Sequence, residues 1–204
     1  MEHPKIGKAI NPFNNSSNCG DLIGYWSREE SVTLCIIDGL GHGIFAKEAA
    51  RAALDYVGGH VNLPLNKIFS GCNEYIRQTW GVAMGIAVVT YNPSVLTYAG
   101  IGNTRIKIIR KVEQGNSYLR SFLLTGNYGI VGTGYKNIFS ETISMEPGDL
   151  VIMYTDGVKE TIDISGYDKL LFADLQMLAE KIIKDWSHNT DDAAVLTYRF
   201  EVPV

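Results

Sequence analysis

Histidine and cysteine are scarce in this chain, four and three among 204 residues. Cys19, Cys35 and Cys72 are odd in number and too far apart for a CxxC pair. That spacing speaks against a disulfide framework and a zinc knuckle, so buried, reduced thiols are expected for all three. Basic residues are also in short supply. Eighteen Lys and Arg against 22 Asp and Glu leave a formal net charge of −4, which argues against a broad nucleic-acid or anionic-membrane surface. No apolar run approaches the roughly 18 residues that span a bilayer. The opening MEHPKIGKAINPF lacks a basic-then-apolar leader pattern, so a cytoplasmic protein without membrane contact is expected. A GxSxG elbow is missing, and no Ser or Cys sits beside an activating base, which removes support for covalent acyl transfer.

What is present can build a full core. Apolar residues make up 46% of the chain, which excludes disorder, and the length predicts one compact domain over residues 1–204. SVTLCII at 31–37 reads as a buried strand that stops at Asp38-Gly39. GLGHG then opens an Ala-rich helix from Ile44 to about Val57. Leu65, Ile68, Phe69, Cys72, Ile76 and Trp80 predict a second, amphipathic one. From Met84 to about Tyr154 short apolar runs alternate with turn residues at Asn92-Pro93, Gln114-Gly115-Asn116 and Glu146-Pro147-Gly148-Asp149, the pattern of an antiparallel meander. The Gly-rich segment 126–135 reads as a mobile loop. Leu171, Leu175, Leu178, Ile182 and Trp186 predict a third helix, and DDAAVLTYRF a closing strand. Two packed antiparallel sheets covered by helices, an α/β/β/α sandwich, suit this order, with a single α+β sheet as the plainer alternative.

Carboxylates mark the strand ends: Asp38 in CIIDGLGHG, Asp156 in VIMYTDGV, and Asp191-Asp192 in NTDDAAVLTYRF. One Asp-Gly pair is an ordinary turn. Several carboxylates abutting buried strands are costly unless a cation offsets them, and hard oxygen ligands without His or Cys at ligand spacing suit Mg²⁺ or Mn²⁺. Asp21, in NCGDLIGYW, precedes another strand and is either a turn cap or an outer carboxylate of the same group. Gly41 to Ala46 also fits G-x-G-x-x-A, but a dinucleotide fold needs a second parallel strand ending in an acid, and GGHVNLPLN and a helix stand there instead. His42 is either a general acid or a solvated turn residue. Arg105, Lys107, Arg110, Lys111 and Arg120 read as the solvated face of a hairpin rather than a docking patch.

Five motifs in order, GD at 20–21, IIDGLGHGIFAKEAA at 36–50, YAGIGNTRI at 98–106, MEPGDLVIMYTDGVKE at 145–160 and DDAAVLTYRF at 191–200, give the chain a resemblance to the PP2C-like metal-dependent Ser/Thr protein phosphatases of the SpoIIE branch. It covers roughly residues 18–200, and the compact length is that of the stand-alone members. The resemblance implies a four-layer α/β/β/α sandwich of class α+β. It also implies hydrolysis of phosphoserine or phosphothreonine through a dimetal-activated water, with two Mn²⁺ or Mg²⁺ ions and a third left open. Carried over residue by residue, Asp38 matches the bridging ligand, Gly39 the carbonyl ligand, Asp156 the TDG ligand and Asp191 the last carboxylate, with Asp192 adjacent and not coordinating. Asp21 and Asp38 are the expected catalytic residues, Asp21 acting through water because Gly20 stands where eukaryotic members carry a ligating acid. The implied partners are phosphorylated STAS-domain regulatory proteins, stressosome components or an anti-anti-sigma factor. NPFNNSSNCGD carries no phosphate-holding Arg, and Asn103 in GIGN departs from the branch's usual AGH, so substrate preference is open. A catalytically silent, partner-binding domain of the same fold is the alternative.

Overall fold

The computed structural model describes residues 5–112, 118–188 and 190–202. The chain begins with β1 (Ile6–Asn11), a short 3-10 turn, β2 (Asp21–Ser27) and β3 (Ser31–Gly39), followed by the helices α1 (Ile44–His60) and α2 (Leu65–Tyr75). Next come β4 (Val82–Tyr91), β5 (Ser94–Ile101), β6 (Arg105–Val112), β7 (Tyr118–Thr125), the two-residue strands β8 (Gly129–Ile130) and β9 (Gly134–Tyr135), β10 (Ser140–Ser144) and β11 (Leu150–Tyr154). Helix α3 (Leu175–Trp186) and β12 (Ala193–Arg199) close the fold. One sheet runs β1-β12-β11-β6-β7 and the other β10-β5-β4-β3-β2, with every pairing antiparallel.

Side-chain alternation along the strands explains the layers. In β3, Leu34 and Ile36 point between the sheets, where they meet Ile106, Ile108, Val151, Met153, Leu196 and Tyr198 of the other sheet. Their neighbours Cys35 and Ile37 point outward onto Ala49, Ala53, Ile68 and Phe69 of α1 and α2. In the second sheet Ile152, Tyr154 and Val195 face α3 through Leu178, Ala179 and Ile182. The central strands β3, β11 and β12 are therefore buried on both faces and read as nearly unbroken apolar runs, whereas the edge strands β2 and β10 are not. The four-layer α/β/β/α order holds, two helices covering one sheet and one the other.

Several sequence expectations give way. The run from Met84 to Tyr154 is no single meander: the chain changes sheet between β5 and β6, returns between β7 and β10, and changes again between β10 and β11. The Glu146–Asp149 turn thus joins two layers and closes no hairpin, although Asp149 N–H does donate to the Glu146 carbonyl at 2.9 Å. Helix α2 ends at Tyr75, and Trp80 lies beyond it, 48% exposed. Leu171 belongs to a separate 3-10 turn, Lys169–Phe172, ahead of α3. The Gly-rich segment is a small ribbon of β8 and β9, tied to β4 by paired backbone hydrogen bonds between Val82 and Val131 at 2.9 Å. Cys35 and Cys72 are buried, but Cys19 is only partly so. The Gln114–Asn116 turn lies outside the described residues, as does the Lys111 side chain.

The basic face is less solvated than its alternation implies. Arg110 is largely buried and forks onto the buried Asp149, Nε to Oδ1 at 2.9 Å and Nη2 to Oδ2 at 2.6 Å, while Nη2 also donates to the Ser144 carbonyl at 2.7 Å. Lys107 Nζ donates to the Ile162 carbonyl at 2.7 Å. Arg110 thereby ties β6 to the end of β10 in the opposite sheet, and Arg120 remains exposed.

Candidate metal centre

The β2–β3 hairpin sets the first element of the site. Its register puts Asp21 directly opposite Asp38 at the open end of the ladder. Asp38 is the next-to-last residue of β3, so Asp38-Gly39 is strand and not a tight turn. A Cβ on Gly39 would sit 2.2 Å from the Ala46 carbonyl oxygen, so the absent side chain is what lets the first turn of α1 lie against the strand end. The loop after it is pinned by Leu40 N–H donating to the Gly81 carbonyl at 3.0 Å.

The other sheet supplies the facing wall. Asp156 follows β11, and Asp191 and Asp192 precede β12, the strand hydrogen-bonded to β11. These two loops touch closely, since a Cβ on Gly157 would lie 1.8 Å from the Asp192 carbonyl oxygen. Buried Asp192 is occupied with backbone: it accepts from Phe13 N–H and Gly20 N–H, both at 2.7 Å. It is a structural carboxylate that fastens the start of β2. Asp191 is exposed at 42% of its side chain and lies 3.5 Å from His42 Nδ1.

Electrostatics join the two walls. Burial, helped by Asp192, Asp156 and Asp191, pushes the Asp21 carboxyl up to about 8, even though a hydrogen bond from Thr155 works the other way. Burial and the same neighbours, with Asp21 foremost, push Asp38 up to about 9. Asp156 is raised by burial and by Asp191, while Arg105, Asn103 and His188 draw it down. Ionised together, these groups would carry more negative charge than their surroundings compensate, so a divalent cation that displaces their protons binds with gain.

The donors fit such an ion. Asp38, Asp156, Asp191 and the Gly39 carbonyl are hard oxygens, and a single imidazole, His42, stands beside Asp191, a donor set that favours Mg²⁺ or Mn²⁺ over zinc. Among the described residues no three or more His, Cys, Asp or Glu side chains form a self-sufficient metal-binding group. Ions such as Mg²⁺ accept this, since they keep several waters and use one or two carboxylates each. A cavity of about 620 Å³ opens from Asp38 past Leu40 and Asn103 to Tyr128 and Ile130 of the ribbon, with Tyr128 at its rim.

Thr155 and Asn103 were not singled out as partners of the carboxylates by sequence. Thr155 Oγ1 donates to Asp21 Oδ2 at 2.6 Å, and the Asn103 side-chain amide donates to Asp156 Oδ2. The signal for the first was a fully buried hydroxyl at the end of an all-apolar strand, and for the second an amide in the GIGN motif.

Among the described residues no helix is long and apolar enough to cross a membrane. The phosphoserine phosphatase RsbX of Bacillus subtilis (strain 168) is 26% identical over 154 residues, covering 76% of this chain and 70% of its own. A structure from the bacterial stressosome, described as a modular system adapted to control secondary messenger signalling, superposes with a TM-score of 0.83 at 25% identity, covering 97% of this chain and all of the other. RsbX in complex with magnesium superposes with a TM-score of 0.75 at 20% identity, covering 98% of each chain, and shares the fold. The profile of Stage II sporulation protein E (SpoIIE) matches residues 28–201, and the chain belongs to that family.

Proposed function

We propose that this chain, a serine/threonine phosphatase of the PP2C type, removes phosphate from a serine or threonine of a STAS-domain regulatory protein of the stressosome kind, using two divalent cations, Mn²⁺ or Mg²⁺, in the cytoplasm. The observation that carries the reading is the convergence of Asp21 and Asp38 from one sheet with Asp156 and Asp191 from the other, acidic groups that the described residues around them offset only in part. Asp38, the Gly39 carbonyl, Asp156 and Asp191 would hold the ions. Bound there, they supply Lewis acidity toward the phosphoryl oxygens and make water a nucleophile near neutral pH. Asp21, buried and acceptor-only when ionised, orients a water on the β2 side. His42, exposed at the rim, gives a proton to the departing serine oxygen. The open cleft between Leu40 and Tyr128 admits a segment of folded protein, and without a covalent nucleophile no phosphoenzyme forms. The similarity to RsbX and to a stressosome structure supports the partner class.

The test is phosphate release from a phosphorylated STAS-domain protein with added Mn²⁺, with Asp38→Ala as control. Release that requires Mn²⁺ and disappears in the variant is expected. Release that survives both chelation and the substitution overturns the reading.

A further inference from the structure

Two neutral side chains hold carboxylates at the site, one between the sheets and one within a sheet. Thr155 directly follows β11 and is fully buried, and its hydroxyl donates to Asp21, the first residue of β2 in the opposite sheet. The same oxygen accepts from Ala194 N–H at 2.9 Å. Because that N–H can only donate, the single hydroxyl proton is committed to Asp21 Oδ2. Asn103 lies on the loop by which the chain leaves β5 and enters β6, and its amide reaches Asp156. The Asn103 carbonyl in turn accepts from Arg105 Nη1 at 3.0 Å, which holds the loop from the β6 side.

Repelling carboxylates would otherwise rotate apart about their own side-chain bonds. A Lys or Arg in either place would fix them but also neutralise them, and so compete with a cation. A hydroxyl and an amide fix direction and leave the charge in place. We propose that Thr155 and Asn103 are positioning residues that fix the directions of Asp21 and Asp156, Thr155 across the two sheets and Asn103 along the β6–β11 ladder, and so preorganise the site for a divalent ion. The proposal rests on the functional reading above.

Calorimetric titration with Mn²⁺, paired with circular dichroism and with hydrolysis of p-nitrophenyl phosphate, tests it. Thr155→Val removes the hydroxyl at constant shape, and Asn103→Ala removes the amide at an exposed position where folding is not at stake. Each is expected to weaken Mn²⁺ binding about 10- to 100-fold, the usual effect of losing an outer hydrogen bond to a group that holds a metal directly or through water, while the dichroism spectrum stays native. Thr155→Ser, which returns the proton, is expected to recover binding to within about threefold of wild type, well inside that loss. Wild-type affinity in Asn103→Ala and in folded Thr155→Val, or no recovery in Thr155→Ser, overturns the proposal while the phosphatase reading stands. Should Thr155→Val not fold, Asn103→Ala alone decides. Failure of the wild-type protein to bind Mn²⁺ in an Asp38-dependent way overturns both.

Discussion

Asp21 and Asp38 stand directly opposite one another as the last pair of the β2–β3 ladder, at its open end. Like charges in that position oppose strand pairing, and both carboxyls are raised well above their ordinary range. The hairpin is thus least comfortable at the point where it is most useful. Its apolar stretch, Ile23 to Trp26 against Thr33 to Ile36, holds the pair together.

Removing the charge should therefore favour the ion-free fold while abolishing the chemistry. Asp38→Asn is expected to lower phosphatase activity at least about a thousandfold, several kcal/mol of transition-state stabilisation. Its ion-free melting temperature at pH 8 should equal or exceed that of wild type. A variant that melts lower and stays active contradicts this.

The pH dependence has a definite sign. Folded Asp21 and Asp38 keep their protons up to about pH 8 and 9, whereas in the unfolded chain they release them near pH 4. Between these limits the folded state binds more protons, so ion-free stability falls as pH rises. Thermal melts in chelator from pH 5 to 8 should show a steady decline in this contribution, and Asp38→Asn should make it shallower. Saturating Mn²⁺ should reduce or reverse the decline, because the ions favour the deprotonated carboxylates.

Arg110 offers a contrast remote from the chemistry. Arg110→Ala leaves the Asp149 carboxylate buried without its fork partner and is expected to cost about 3 kcal/mol in urea unfolding. Mn²⁺ affinity per folded molecule should not change. A loss below about 1 kcal/mol would mean that water replaces the guanidinium effectively.

Gly157→Ala should damage stability and activity together. The new methyl would meet the Asp192 carbonyl, forcing apart the two loops that carry Asp156 and Asp191. A cost of about 3 kcal/mol is expected, with weaker Mn²⁺ binding as the readout that separates this site from Arg110.

The strands at 31–37 and 150–154 were legible because burial on both faces leaves apolar runs with abrupt polar ends. The carboxylates were legible for the same reason, as breaks in those runs. Sheet membership was not. Glu146-Pro147-Gly148-Asp149 has the chemistry of a hairpin turn whichever layer the chain enters next, and only packing decides. Trp80 kept helical spacing past the end of α2, but the helix stops at Tyr75 and the residues between form turns. Asp192 could be read as adjacent to the ligands, but its backbone partners Phe13 and Gly20 lie about 170 positions away, beyond the reach of any local pattern.

Those long separations bear on how the protein is made. β12 fits between β1 and β11, and the loop before it brings Asp191 to the site. A chain still on the ribosome can form the β2–β3 hairpin and pair Asp21 with Asp38 early, yet it has no complete set of carboxylates until its last strand emerges. Activity would therefore wait for β12 and switch on in one step with the closure of the sheet.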